Sequence, residues 1–136
     1  MLTNEGKIVV FLNGSRGLAV LKSLVSNKHR VVGVVIPSLP PHDSLVHQIS
    51  QVKLPYIQVQ NVNAPSAIKE IKEFHPDLFL VAGFSTIFHE TLLQVPKIGG
   101  INLHAGRLPQ YRGGSPLNWQ LINGEESASV SVVRLD

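Results

Sequence analysis

Asn102 and His104 stand two positions apart at the end of an apolar run over residues 98–104, and their types and spacing are the chain's strongest chemical signal. An amide offers N–H donors to a developing negative charge, and an imidazole offers a donor or a carrier for a proton. In an extended chain, positions i and i+2 point to the same side. An amide and an imidazole aimed together at one crevice are costly to bury without a purpose. Pro109, Gly113, Gly114 and Pro116 follow, fixing the backbone in several places as a substrate-shaping loop requires. Taken alone, an Asn-x-His pair also arises where a histidine caps a turn or an asparagine closes a loop. The pair together with its loop is the more specific feature.

Other chemistry-bearing residues give weaker signals. The turn over residues 14–17 follows one apolar run and opens a helical pattern, so its backbone N–H groups suit an anion. Only Gly14 and Gly17 are present in FLNGSRGLAV, which is not the dinucleotide fingerprint, and no Gly-Lys-Ser/Thr follows to make a phosphate loop. A tight strand-to-helix turn explains the same residues equally well. His29, His42, His47, His75 and His89 read as surface or turn residues. Asp43 with His42 and His47 invites a metal reading, but no further ligand is near in sequence, and no metal is expected.

The elements that must position these residues follow from hydrophobic periodicity. KIVVFL at 7–12 and VVGVVI at 31–36 are apolar on both faces, the mark of buried parallel strands. Between them, from Gly17, the residues Leu18, Leu21, Leu24 and Val25 share a helical face, making a βαβ unit. Pro37, Pro40 and Pro41 break the chain, and Asp43 or Ser44 opens a helix to about Val52. Further strands are predicted at 56–59, 77–83, 98–104 and 130–135, and helices at 66–74, 87–93 and 116–123. Such alternation predicts an α/β fold: an open, mostly parallel, Rossmann-like sheet with helices on both faces. Ligands then bind at the carboxyl ends of the strands, where Asn102 and His104 fall.

The 136 residues suit one domain. Hydrophobic residues make up 43% and charged residues 15%, which places the chain among globular rather than disordered sequences. The net charge of +3 is scattered, with Lys69 and Lys72 alternating with Glu70 and Glu73 as on a solvated helix face. It gives no basic tail for nucleic acid. The absence of cysteine excludes a disulfide scaffold and suits a reducing cytoplasm. The run Ile8 to Leu12 follows Glu5 and is too short for a signal peptide, and no stretch approaches the ~20 apolar residues that span a bilayer. The chain reaches Asp136 as a strand is being completed. A domain over residues 1–136, incomplete at its carboxyl end, is therefore expected.

The stretch from Gly100 to Glu125 resembles the signature region of the folate-dependent formyltransferases. The shared features are Asn102 and His104 on a strand, Leu108-Pro109, then Tyr111-Arg112-Gly113 and the Gly124-Glu125 turn. The likeness extends back through VAGFSTIFHETLLQVPKIGGIN, and the opening βαβ unit fits as well.

The resemblance implies transfer of a formyl group from 10-formyltetrahydrofolate to a primary amine. In that chemistry a neutral amine attacks the formyl carbon, and charge develops on the formyl oxygen. Asn102 would donate to that oxygen, while His104 would stabilise it and take part in proton transfer. The family's third catalytic residue, an Asp, would fall a few residues past Asp136. Phe84, Ile87, Phe88 and Leu108 would border the folate. Arg107, Tyr111 and Arg112 would face the acceptor, although a solvated loop explains the arginines equally well. Trp119 reads as core.

Pro116-Leu117-Asn118-Trp119 looks more like the family members acting on nucleotide-linked amino sugars than like those acting on methionyl-tRNA, which stand second. The implied partners are folate, an amine acceptor with a nucleotide sugar first, and, as one option, a second copy of the chain, in a cytoplasmic protein without membrane contact. A non-catalytic α/β binding module derived from the same family is the competing expectation.

Overall fold

The computed structural model describes residues 6–38 and 43–136. Glu5, Pro40, Pro41 and His42 lie outside the described residues. Six strands form one sheet: β1 (Ile8–Leu12), β2 (Val31–Pro37), β3 (Tyr56–Val59), β4 (Leu78–Ala82), β5 (Gly99–His104) and β6 (Ser131–Arg134). Five helices connect them: α1 (Gly14–Ser26), α2 (Asp43–Gln51), α3 (Pro65–Lys72), α4 (Glu90–Leu93) and α5 (Pro116–Ile122). The strand order is β3-β2-β1-β4-β5-β6. Every pairing is parallel except that of β6, which runs antiparallel beside β5. The expected open, mostly parallel sheet is thus observed.

Alternation along β1 divides the core. Val9 and Phe11 pack with Ala67, Ile68 and Ile71 of α3 and Leu92 of α4. Ile8, Val10 and Leu12 pack with Leu18 and Leu21 of α1 and Leu45 and Ile49 of α2. A central strand buried on both faces must be apolar at every position, and the two-sided burial explains why β1 reads as a continuous apolar run. The order reverses between β1 and β4, so the crevice at that switch point opens at the carboxyl ends of β1, β4 and β5.

Two boundaries differ from expectation. Helix α1 begins at Gly14, three residues before the apolar periodicity starts. Gly14 takes φ 75, and Gly17 packs on the strand ends: a Cβ there would lie 2.6 Å from the Ala82 carbonyl oxygen and 2.7 Å from the Leu12 Cβ. Gly17→Ala is therefore expected to lower unfolding free energy by about 1–3 kcal/mol through overpacking, measured by urea denaturation. The second difference lies over residues 87–93, where only Glu90–Leu93 is helical. The Ile87 carbonyl, which a helix from residue 87 would give to the Thr91 N–H, accepts from the Asn63 side chain instead, and that side chain also takes the His89 N–H.

Trp119, expected in the core, is 54% exposed. Helix α5 turns the adjacent Gln120 inward, and a one-residue step of about 100° carries Trp119 away from that buried side. Among the described residues, no helix is long and apolar enough to cross a membrane.

Candidate active site

Ile101 and Leu103 of β5 pack toward α1 and α2, which leaves Asn102 and His104 on the other side of the strand. Two clefts meet at these two residues. One, of about 510 Å³, lies between the loop after β4 and the chain end; Phe84, Ile87, Phe88, Leu93 and Asp136 line it. The other, of about 440 Å³, lies toward α1 and is lined by Arg16, Ala19, Val20, Pro116 and Val130. Phe84, Ser85, Asn102, His104 and Gly113 belong to both.

The loop after β4 gives the first cleft its wall. Gly83 begins the loop at φ 77, where an added Cβ would stand 2.7 Å from the Asn13 carbonyl oxygen. Phe84 and Phe88 then turn into the core. They stack edge-on against Phe11 at centroid distances of 5.9 and 4.8 Å and against each other at 6.0 Å. Ser85, Thr86 and Ile87 are lifted to the surface between these anchors, and Ile87 is 80% exposed. Among the described residues, the main-chain groups of 84–86 make no backbone hydrogen bond with one another or with a neighbouring segment. The wall thus pairs apolar rings with unclaimed donors and acceptors, a lining that suits a flat heterocycle.

The loop after β5 closes the site from above. The carbonyl oxygen of Tyr111 bonds His104 Nε2, and because a carbonyl only accepts, that ring nitrogen carries the hydrogen. Gly106 sits under Tyr111 and Pro116 with no room for a Cβ. Gln120 is 2% exposed and donates to the carbonyls of Ala105, at 3.0 Å, and Pro116, at 3.2 Å. Ser131 Oγ donates to the Gly106 carbonyl at 2.7 Å and accepts from the Leu108 N–H at 3.3 Å. Tyr111 is buried, and its hydroxyl donates to Glu125 Oε1 at 2.7 Å. Arg107 stands 3.8 Å from Glu125 Oε2, an exposed pair that contributes little to stability.

Of the expected site residues, the structure brings together Asn102, His104, Phe84, Ile87 and Phe88. Arg107, Leu108, Tyr111 and Arg112 line neither cleft. Tyr111 and Arg107 face Glu125, and Arg112 is exposed without an ion pair among the described residues. Arg16, Gln120, Ser131 and Asn63 were not singled out from sequence. Gln120 and Ser131 act across 15 and 25 positions, which no local pattern announces. Arg16 had a visible signal, its place in the turn over 14–17. Among the described residues, no group of three acidic or histidine side chains is placed to hold a metal ion.

A family model described as formyl transferase matches residues 6–136. The chain belongs to the formyl transferase family. The methionyl-tRNA formyltransferase of Citrifermentans bemidjiense is 38% identical over 126 residues, covering 85% of this chain and 39% of that protein. The enzyme of that name from Geobacter metallireducens is 43% identical over 83 residues, covering 61% of this chain and 27% of its own length. The chain thus spans less than half the length of these formyl transferase relatives.

Among solved structures, phosphoribosylglycinamide formyltransferase from Bacillus halodurans superimposes with a TM-score of 0.79 at 18% identity, over 96% of this chain and 72% of that one. A formyltetrahydrofolate deformylase from Pseudomonas putida gives 0.69 at 18% identity, over 100% of this chain and 51% of that one. At such identities the likeness establishes the shared formyl transferase fold.

Proposed function

We propose that this chain provides the formyl-transfer site of an N-formyltransferase that uses 10-formyltetrahydrofolate. The observation that carries the reading is the meeting of two clefts at Asn102 and His104, one for each substrate. The pterin fits the first cleft, whose walls are Phe84, Phe88 and Leu93 and whose free main-chain groups at 84–86 suit ring nitrogens and amides. The folate supplies a formyl group activated on nitrogen. Asn102 directs a side-chain N–H at the formyl oxygen as charge develops there. His104 adds a second donor to that oxygen and helps carry the proton that the amine loses as its bond to the formyl carbon forms; the bond from that carbon to the folate nitrogen then breaks, and the nitrogen takes up a proton as it leaves. Substrate entry exchanges the Tyr111 carbonyl for a ligand at the His104 ring.

The acceptor enters from the second cleft, where Arg16 is the charged side chain on the wall and binds an anionic group of the acceptor. The names of the curated relatives favour methionyl-tRNA over the nucleotide-linked amino sugar expected from sequence. The fold weakens the sugar reading as well. Of the run over 115–119 on which it rested, Ser115 and Pro116 line the second cleft, but Asn118 and Trp119, the pair that set it apart from the tRNA members, face solvent on α5 and line neither. The intact protein, supplied with 10-formyltetrahydrofolate, is expected to formylate methionyl-tRNA in preference to a nucleotide-linked amino sugar. Arg16→Ala should raise the acceptor KM about ten-fold while leaving the folate KM unchanged. Transfer to neither acceptor, with retained folate binding, favours the binding-module reading.

A further inference from the structure

One side chain outside the two clefts holds the loop that walls the first of them. Asn63 is half-buried in the segment between β3 and α3. Its Nδ2 donates to the Ile87 carbonyl at 2.9 Å, and its Oδ1 accepts from the His89 N–H at 2.8 Å. The two contacts bracket Phe88 and reach across 24 and 26 positions of sequence. Asn63 is itself held, because its N–H donates to Asn61 Oδ1 at 3.0 Å, and α3 starts at Pro65 just beyond it.

We propose that Asn63 is a positioning residue that sets the geometry of the folate-side cleft. The inference rests on the folate reading of that cleft. Phe84 and Phe88 anchor the loop from below, but apolar burial is non-directional and leaves the strip between them free to tilt. A primary amide bonded to two backbone groups on either side of one residue removes that freedom, since a donor and an acceptor at fixed spacing define both place and orientation. Ile87, mostly in solvent, has no packing of its own to resist such a tilt. The His89 N–H also belongs to the residue that opens α4, so Asn63 fixes where the loop ends and that helix begins. Removing the clamp frees the wall at Ile87 and Phe88, which line the first cleft and not the second, without touching Asn102 or His104.

The test uses the intact protein with 10-formyl-5,8-dideazafolate as the stable ligand, read by calorimetry, alongside initial rates with both substrates and amide hydrogen exchange. Asn63→Ala is expected to weaken ligand binding about ten-fold and raise the folate KM by a like factor. Turnover at saturating folate and the acceptor KM should stay at wild-type values, and exchange at the His89 amide should accelerate. Asn63→Asp keeps the size of the side chain and the acceptor for His89 but sets a carboxylate oxygen against the Ile87 carbonyl, so it should weaken folate binding at least as much as Asn63→Ala. It is read in place of Asn63→Ala if that variant unfolds. Wild-type affinity in either variant, or an equal fall in turnover for both substrates, overturns the inference while leaving the folate reading intact. If the wild type itself shows no saturable binding of the ligand, the folate reading fails and the inference falls with it.

Discussion

His104→Ala and Asn102→Ala, each made in the intact protein, are expected to lower turnover by about 10²–10³-fold while leaving folate affinity near that of the wild type. Both side chains are assigned to charge that develops only as the amine attacks. Their removal therefore raises the barrier without weakening the ground-state complex, and kcat and kcat/KM should fall together. His104 should cost at least as much as Asn102, because the proposed mechanism also gives it a proton to handle. The two changes should combine to less than the product of the single effects, since both groups serve one oxygen. Single-turnover formyl transfer with calorimetric folate binding checks each statement. A double variant with undiminished turnover would sink the assignment of the site to β5.

Phe88→Ala is expected to cost about 3–5 kcal/mol of unfolding free energy, the largest stability effect of any single change at the cleft. Phe88 is buried and packs edge-on against Phe11, Phe79 and Phe84, with centroids 4.8, 6.3 and 6.0 Å away. Truncation removes the ring's burial and leaves a void that a close-packed sheet and helix face cannot collapse to fill. The loss also removes the anchor of residues 85–87, so folate binding should weaken beyond what stability alone explains. Phe88→Leu, which restores most of the volume, should recover more than half of the stability. Urea unfolding of both variants, with calorimetry under folding conditions, separates the two effects. A Phe88→Ala protein as stable as the wild type would show that the loop is held by other means.

The strands were legible because parallel strands buried on both faces must be apolar throughout, and β1, β2 and β4 are. The Asn102 and His104 spacing was legible for a related reason: period two along β5 needs no long-range information. The loops were not legible in the same way. The run over 87–93 reads as one short helix, but Asn63, 24 positions upstream of Ile87, claims the carbonyl that its first turn would use. Trp119 looked like core because its size and type suggest burial, whereas the loop carbonyl of Ala105, 15 positions away, draws Gln120 inward instead. Arg107 and Tyr111 were expected at the acceptor and are turned onto Glu125, an acid in the turn after α5. In each case a polar contact between distant segments decides the outcome, and local pattern carries no trace of it.

The arrangement of two clefts that share Phe84, Ser85, Asn102, His104 and Gly113 also bears on inhibition. Beyond the shared residues the walls differ, with Ile87, Phe88 and Leu93 on one side and Arg16, Ala19 and Val20 on the other, so on the proposed reading neither ligand would have to leave before the other arrives. A single molecule that joins a flat heterocycle to an anionic tail through a short neutral spacer would occupy both. Its second half would bind at the high effective concentration that tethering creates, so the joined compound would exceed either fragment by orders of magnitude without any new contact. A spacer too short to pass between Phe84 and Gly113 would forfeit the whole gain, which makes the shared residues a ruler for linker length.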